Sequence, residues 1–291
     1  MSSPSRHAAV SAEVRRNPPS DPRGNRRDGA RGLRVLSVST VLVMALALSL
    51  VFFYAPLEAE EGFLQKIFYV HVPLAIVSLC GFIAGGILAI QHLRTRDPRW
   101  DMRSYVAIHI SLIFAVATLI TGSIWAKGSW GHWWVWSEPT LVSFLIVFLL
   151  YATYQPLRFA IEDPERQARY ASVFAITAGA FVPVNFIAVR LSSAYLHPRV
   201  LGSASNLPPQ MALTFAVSLL AMASLYATFY SYELTAKRTR AKLRALRRRI
   251  ELRSAADGAG AGARVRPPRS AAPRAYPATA MTARAAGRGR V

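Results

Sequence analysis

The chain has 291 residues, 53% of them hydrophobic, and a formal net charge of +20. Its apolar residues gather in runs of about 20, the length a helix needs to cross a bilayer core about 30 Å thick, which excludes a soluble globular class. The positive charge sits in two terminal tails and in short loops. No folded basic domain carries it, so nucleic acid is excluded as a partner.

Residues 1–34 form a polar leader with Arg15, Arg16, Arg23, Arg26, Arg27, Arg31 and Arg34, read as a disordered basic tail. A leader of this length before an apolar run is a poor match to a cleaved signal peptide, so residues 35–54 are read as a retained first span. Residues 55–66 carry Glu58, Glu60 and Glu61 against one lysine. The second span covers 67–91. Within it, Gly81-x-x-x-Gly85 followed by Gly86 predicts close helix packing, and the lone Cys80 is assigned to packing as well. A loop with Arg94, Arg96, Arg99 and Arg103 leads to the third span, 105–124. A tryptophan-rich stretch, 125–139, precedes the fourth span, 140–157. A loop at 158–169 with three arginines leads to the fifth span, 170–191. A polar stretch, 192–209, precedes the sixth span, 210–232. The tail from 233 holds 16 Lys or Arg and three acids. Its start, 237–253, reads as a basic helix along an anionic leaflet, and its Ala/Gly/Pro/Arg-rich end as disordered.

The two tails and the loops 92–104 and 158–169 contain 31 of the 35 Lys and Arg. The positive-inside rule therefore predicts that both termini are cytoplasmic. It also puts 55–66, 125–139 and 192–209 on the outer face. The chain reads as an all-α membrane domain of six spans, 35–232, between the tails 1–34 and 233–291. One cysteine permits no internal disulfide. The absence of C-x-x-C-H argues against covalent haem attachment, and the absence of G-x-x-x-x-G-K-[ST] argues against an ATPase.

Five of the six tryptophans fall within twelve residues, Trp125, Trp130, Trp133, Trp134 and Trp136, with Gly128 and Gly131 between them. Interfacial tryptophans are ordinarily scattered over many helix ends. This concentration instead suits an aromatic platform for a large, flat, apolar ligand with a polar edge. His71 lies about one turn inside the outer end of span two, and His197 just beyond span five, on the same outer face. Imidazole is a standard axial ligand of haem iron, so the platform has a possible ligand on each side. His132 is read as a solvated spacer, and His7, His92 and His109 map to the cytoplasmic side. Arg190 sits where a charge is costly. It either snorkels to the interface or meets an anionic group such as a propionate, as Arg199 and Lys127 could. Glu138 is the outer acid nearest the platform and a possible partner of Arg190.

Trp130-Gly131-His132-Trp133-Trp134-Val135-Trp136 resembles the W-G-x-W-W-x-W-D signature of the haem-handling membrane proteins of cytochrome c biogenesis. The size, the six spans and Tyr69-Val-His71-Val-Pro73 resemble the haem exporter protein C branch of that family, over roughly residues 35–232. The resemblance implies a platform for non-covalent haem b on the extracytoplasmic face of the inner membrane, with His71 and His197 as axial ligands. It implies transport and not enzymatic chemistry. The implied partners are a membrane-anchored haem chaperone, ABC transporter subunits and a small single-span subunit. The chain departs from the signature at Ser137 and Glu138, where the family has Asp, and at Pro139, with Thr140-Leu141 following. Two other readings are a fixed bis-histidine b-type redox centre and the longer haem-channel synthetase branch, whose additional spans and histidines are lacking here.

Overall fold

The computed structural model describes residues 22–57, 59, 61–191, 196–197 and 207–263. Every regular element among them is helical. Helix α1 covers Pro22–Ser49 and runs into a π-helical segment, Leu50–Tyr54. A 3₁₀ segment, Phe63–Ile67, leads into α2, Phe68–Thr95. Then come α3 (Pro98–Trp130), α4 (Pro139–Ala152), the short α5 (Tyr154–Phe159), α6 (Pro164–Leu191) and α7 (Pro209–Ala263). Six helical stretches are long and apolar enough to cross a membrane: Gly29–Tyr54, Phe63–Thr95, Pro98–Trp130, Pro139–Phe159, Pro164–Leu191 and Pro209–Ala255. The expected fold class of six spans is met.

Several boundaries differ from expectation. Residues 22–34, expected as disordered tail, begin α1. Residues 125–130, expected as loop, are the last turns of α3, because tryptophan is tolerated in a helix and the break comes only at Gly131. The loop expected at 158–169 is shortened by α5 and by the early start of α6. The basic helix expected to end at 253 continues to Ala263. The chain divides into two compact units after Thr239, and in the second unit residues 240–263 are helical. The far ends expected to be disordered lie outside the described residues.

The helix starts are set by short-range chemistry. Asp97 precedes Pro98, and its Oδ1 accepts from Arg99 N at 2.9 Å. Asp163 precedes Pro164 and accepts from Arg166 N at 2.7 Å. Each pairs an acidic cap with a proline at the first helical position, where the missing N–H costs nothing. At the exit of the first span, buried Lys66 donates to the carbonyl of Ala55 at 2.6 Å, placing a cation on the carbonyl end of a helix.

Helices α2 and α3 form the centre of the bundle. On one side α4, α5 and α6 close a cluster around Phe82, Ile108, Tyr151, Tyr154 and Ala175. On the other, α1 and α7 pack around Val77, Ile110, Phe114 and Met222. Apolar burial drives little between helices in lipid, so close approach and interhelical hydrogen bonds matter more, the latter worth about 0.6 kcal/mol each. Gly86 of α2 meets Gly179 of α6 backbone to backbone, where a Cβ on Gly86 would stand 3.0 Å from the Ala175 carbonyl oxygen. Ser78 Oγ donates to Ser111 O at 3.0 Å and Ser104 Oγ to Gly85 O at 2.8 Å, both between α2 and α3. The expected close packing at Gly81, Gly85 and Gly86 is therefore present. Cys80 is not part of it, because its side chain is exposed on the outside of the bundle.

Candidate functional site

The outer ends of α2 and α3 build the first wall of the site. His71 is in the first turn of α2, and its Nδ1 lies 3.1 Å from Thr121 Oγ1 on α3. The threonine hydroxyl gives its own hydrogen to the Ala117 carbonyl at 2.8 Å. With its hydrogen on that carbonyl, the hydroxyl accepts from the imidazole, an arrangement that favours the tautomer protonated at Nδ1. That tautomer leaves Nε2 with the lone pair a metal ligand needs. Gly122 gives the ring its room, since a Cβ there would stand 2.7 Å from His71 Cε1.

Trp125, one turn beyond Thr121, meets the imidazole edge to face, with centroids 5.8 Å apart and planes at 82°. Its indole N–H donates to Glu61 Oε2 at 2.9 Å, and Ser129 Oγ donates to Glu61 Oε1 at 2.8 Å. A carboxylate from the segment between the first two spans thus fixes the tryptophan that touches His71.

The second wall comes from α4, α6 and residues 196–197. Glu138 is fully buried at the N-cap of α4, and its Oε2 accepts from Leu196 N at 2.9 Å. His197 follows directly, and its ring meets Trp130 edge to face at 6.4 Å. Arg190, in the last turn of α6, holds its guanidinium over the Phe186 ring, 4.9 Å from the centroid.

A cavity of about 700 Å³ lies between the walls, inside the range of ligand-binding pockets. His71 and His197 both line it, with Trp125, Trp130, Trp134 and Arg190. Its inner part is apolar, lined by Val72, Ala75, Ile76 and Leu79 of α2, Phe144 and Val147 of α4, and Val182 of α6. His71 to Leu79 is roughly 12 Å of helix. The cavity therefore reaches well into the span, with its polar groups at one end. Buried Trp134 Nε1 has no acceptor among the described residues, which leaves a donor for a ligand's polar edge. No group of three or more His, Cys, Asp or Glu comes together among the described residues. The two imidazoles suit a metal whose other ligands come from a macrocycle.

The structure separates the remaining candidates. Trp133 and Trp136 are 60% and 73% exposed and do not line the cavity. The tryptophans thus split between cavity wall and exposed surface, because the chain turns at Gly131. That residue caps α3 in the left-handed conformation, with φ 75°, which glycine adopts without strain. Lys127 donates to the Gly131 carbonyl at 2.8 Å and serves this cap. His132 is exposed, in line with the solvated reading. His92 bonds Ser172 Oγ at 2.8 Å and His109 stacks on Tyr105, both away from the cavity. Arg199 and His7 lie outside the described residues.

Glu61, Thr121, Gly122 and Ser129 did not stand out in the sequence. Continuing the helical spacing back from Trp125 would have put Thr121 and Gly122 beside it. Glu61 gave only a weaker signal, one of three acids in a segment with a single base.

The profile of the family described as Heme exporter protein C matches residues 21–255. The chain is 33% identical over 159 residues to Heme exporter protein C of Rhodobacter capsulatus, covering 55% of this chain and 65% of that protein. It is 29% identical over 197 residues to that of Paracoccus denitrificans, covering 67% and 80%. Against the Bradyrhizobium diazoefficiens protein of the same description it is 34% identical over 158 residues, covering 53% and 58%. The matched part thus spans just under two thirds of the Rhodobacter relative and more of the Paracoccus one.

Proposed function

The chain belongs to the Heme exporter protein C family, and from that premise we propose that it binds haem in the cavity between His71 and His197 and hands it on for cytochrome c maturation. The carrying observation is the meeting of two histidines, 126 positions apart in the sequence, on one aromatic-walled cavity. Haem is the cargo. It supplies an iron with two open axial positions and a planar, largely apolar ring with charged propionates.

His71 offers Nε2 from a fixed tautomer, and His197 is the second axial ligand. Trp125, Trp130 and Trp134 stack against or border the ring. Arg190 and the Trp134 N–H meet the propionate edge, and the apolar depth of the cavity takes the opposite edge. Trp133 and Trp136, exposed beside Trp134, give a membrane-anchored haem chaperone an aromatic contact. ABC transporter subunits and a small single-span subunit complete the assembly. The cavity faces outward from the cytoplasm with both termini inside, a reading supported by the Lys and Arg distribution.

A carrier must release what it binds, whereas a fixed redox centre must keep it. Purified protein should show bound haem b that passes to an excess of an apo haem-binding protein. Haem retained indefinitely would favour the redox centre, and protein that takes up no haem would end the proposal.

A further inference from the structure

The two candidate ligands are held in unlike ways. His71 belongs to a helix and is fixed by Thr121, Gly122 and Trp125. His197 lies between α6 and α7, outside any helix. The residue before it is tied to the bundle by a carboxylate, through the 2.9 Å bond from Leu196 N to Glu138 Oε2.

Glu138 is fully buried. A buried carboxylate is costly unless hydrogen-bonded, and two features among the described residues lower that cost. One is the Leu196 N–H. The other is the position at the N-terminus of α4, where the helix dipole favours negative charge. The bond to a backbone N–H makes the tie independent of the side chain at 196. Pro139 follows at the first helical position and sets the backbone there, so the carboxylate is held by a rigid start of a helix.

We infer that Glu138 is the positioning residue for His197: its carboxylate latches the 196–197 segment against α4 and so keeps the second imidazole on the iron. The inference rests on the haem-binding reading above. Haem leaves by the His197 side, because that ligand stands outside any helix in a segment tied through Glu138, while His71 is built into α2. Departure of the latch gives a five-coordinate or water-ligated state held by His71, from which an acceptor can draw the haem.

The test is a cycle of Glu138→Ala and His197→Ala, alone and together, in the full-length protein purified with haem, with Glu138→Gln alongside. The readouts are the absorption spectrum and the rate of haem loss to an apo haem-binding protein. Glu138→Ala should convert low-spin haem to the high-spin form seen in His197→Ala and speed haem loss about tenfold, the scale of lost support for a metal ligand. Glu138→Gln keeps an oxygen acceptor for Leu196 N and should stay mostly low-spin. Added imidazole should restore the low-spin spectrum of Glu138→Ala, which a collapsed site would not allow. In the His197→Ala background, Glu138→Ala should change neither readout further. A low-spin spectrum and wild-type transfer rate in Glu138→Ala, failure of imidazole to restore it, or additive loss in the double variant would overturn the inference. Wild-type protein without bis-imidazole haem would overturn the haem-binding reading itself, a result separable from failure of the latch.

Discussion

Gly122 on α3 is the surface against which the His71 imidazole of α2 rests: a Cβ at that position would come within 2.7 Å of Cε1 and 3.3 Å of Nδ1. The neighbouring atoms belong to a ring held by Thr121 on one edge and Trp125 on another, so the ring has little freedom to yield.

Gly122→Ala should therefore displace the imidazole without removing it. The expected result is protein at wild-type level in the membrane, with haem shifted from low-spin to high-spin and affinity lowered by roughly one to two orders of magnitude. A haem titration followed in the Soret band reads both. Wild-type affinity would mean that His71 is not the ligand.

The tryptophans should divide by position. Trp130→Ala and Trp134→Ala each remove a wall of the cavity and should weaken haem retention by on the order of 1 kcal/mol, the scale of one aromatic contact. Trp133→Ala and Trp136→Ala should leave haem retention of the purified protein near wild type, because both side chains are exposed outside the cavity. Their loss should appear in transfer to the chaperone. Equal haem loss across all four would restore a single undivided platform.

The opposite end of the bundle carries a charge pair of another kind. Arg158 donates to both carboxylate oxygens of Asp101, at 2.7 and 2.9 Å, with its guanidinium 5.0 Å from the Tyr105 ring centroid. Both side chains are largely buried, and breaking such a pair by removing one partner costs about 3–5 kcal/mol. Asp101→Ala should lower the thermal midpoint of the detergent-purified protein while leaving the haem spectrum of the folded fraction unchanged. A spectral shift in this variant would couple the inner end to the haem site.

The orientation rests on the loops. A periplasm-active reporter fused within 131–138 should be active and one fused after Tyr232 silent. The reverse pattern would put the cavity on the cytoplasmic side and contradict the export reading.

Much of this was legible in the sequence, for physical reasons that can be named. Six apolar runs of spanning length announce six spans, because lipid demands both length and internal hydrogen bonding. His71, His197 and the tryptophans were legible because such residues at outer helix ends are chemically unusual. Their sorting was not legible. Whether a tryptophan faces the cavity or solvent depends on where α3 stops. The cap at Gly131 fixes that point, whereas Gly128, equally plausible by residue type, lies within the helix. The carboxylates were harder still. Glu61 and Glu138 act through bonds to Trp125 and Leu196, each 58 or more positions away, and no local spacing encodes such pairs. Glu138 could be suspected as the outer acid nearest the platform and as an acid displaced from a motif position, but its bond to Leu196 could not.

The most direct test of the central claim is the absorption spectrum of the purified protein beside those of His71→Ala, His197→Ala and the double variant. Bis-imidazole ligation predicts low-spin haem b in the wild type, with a sharp Soret band and resolved α and β bands after reduction. Each single variant should be high-spin, and the double variant should hold no haem. A wild-type low-spin spectrum surviving in either single variant would contradict the pairing of His71 with His197 across the cavity.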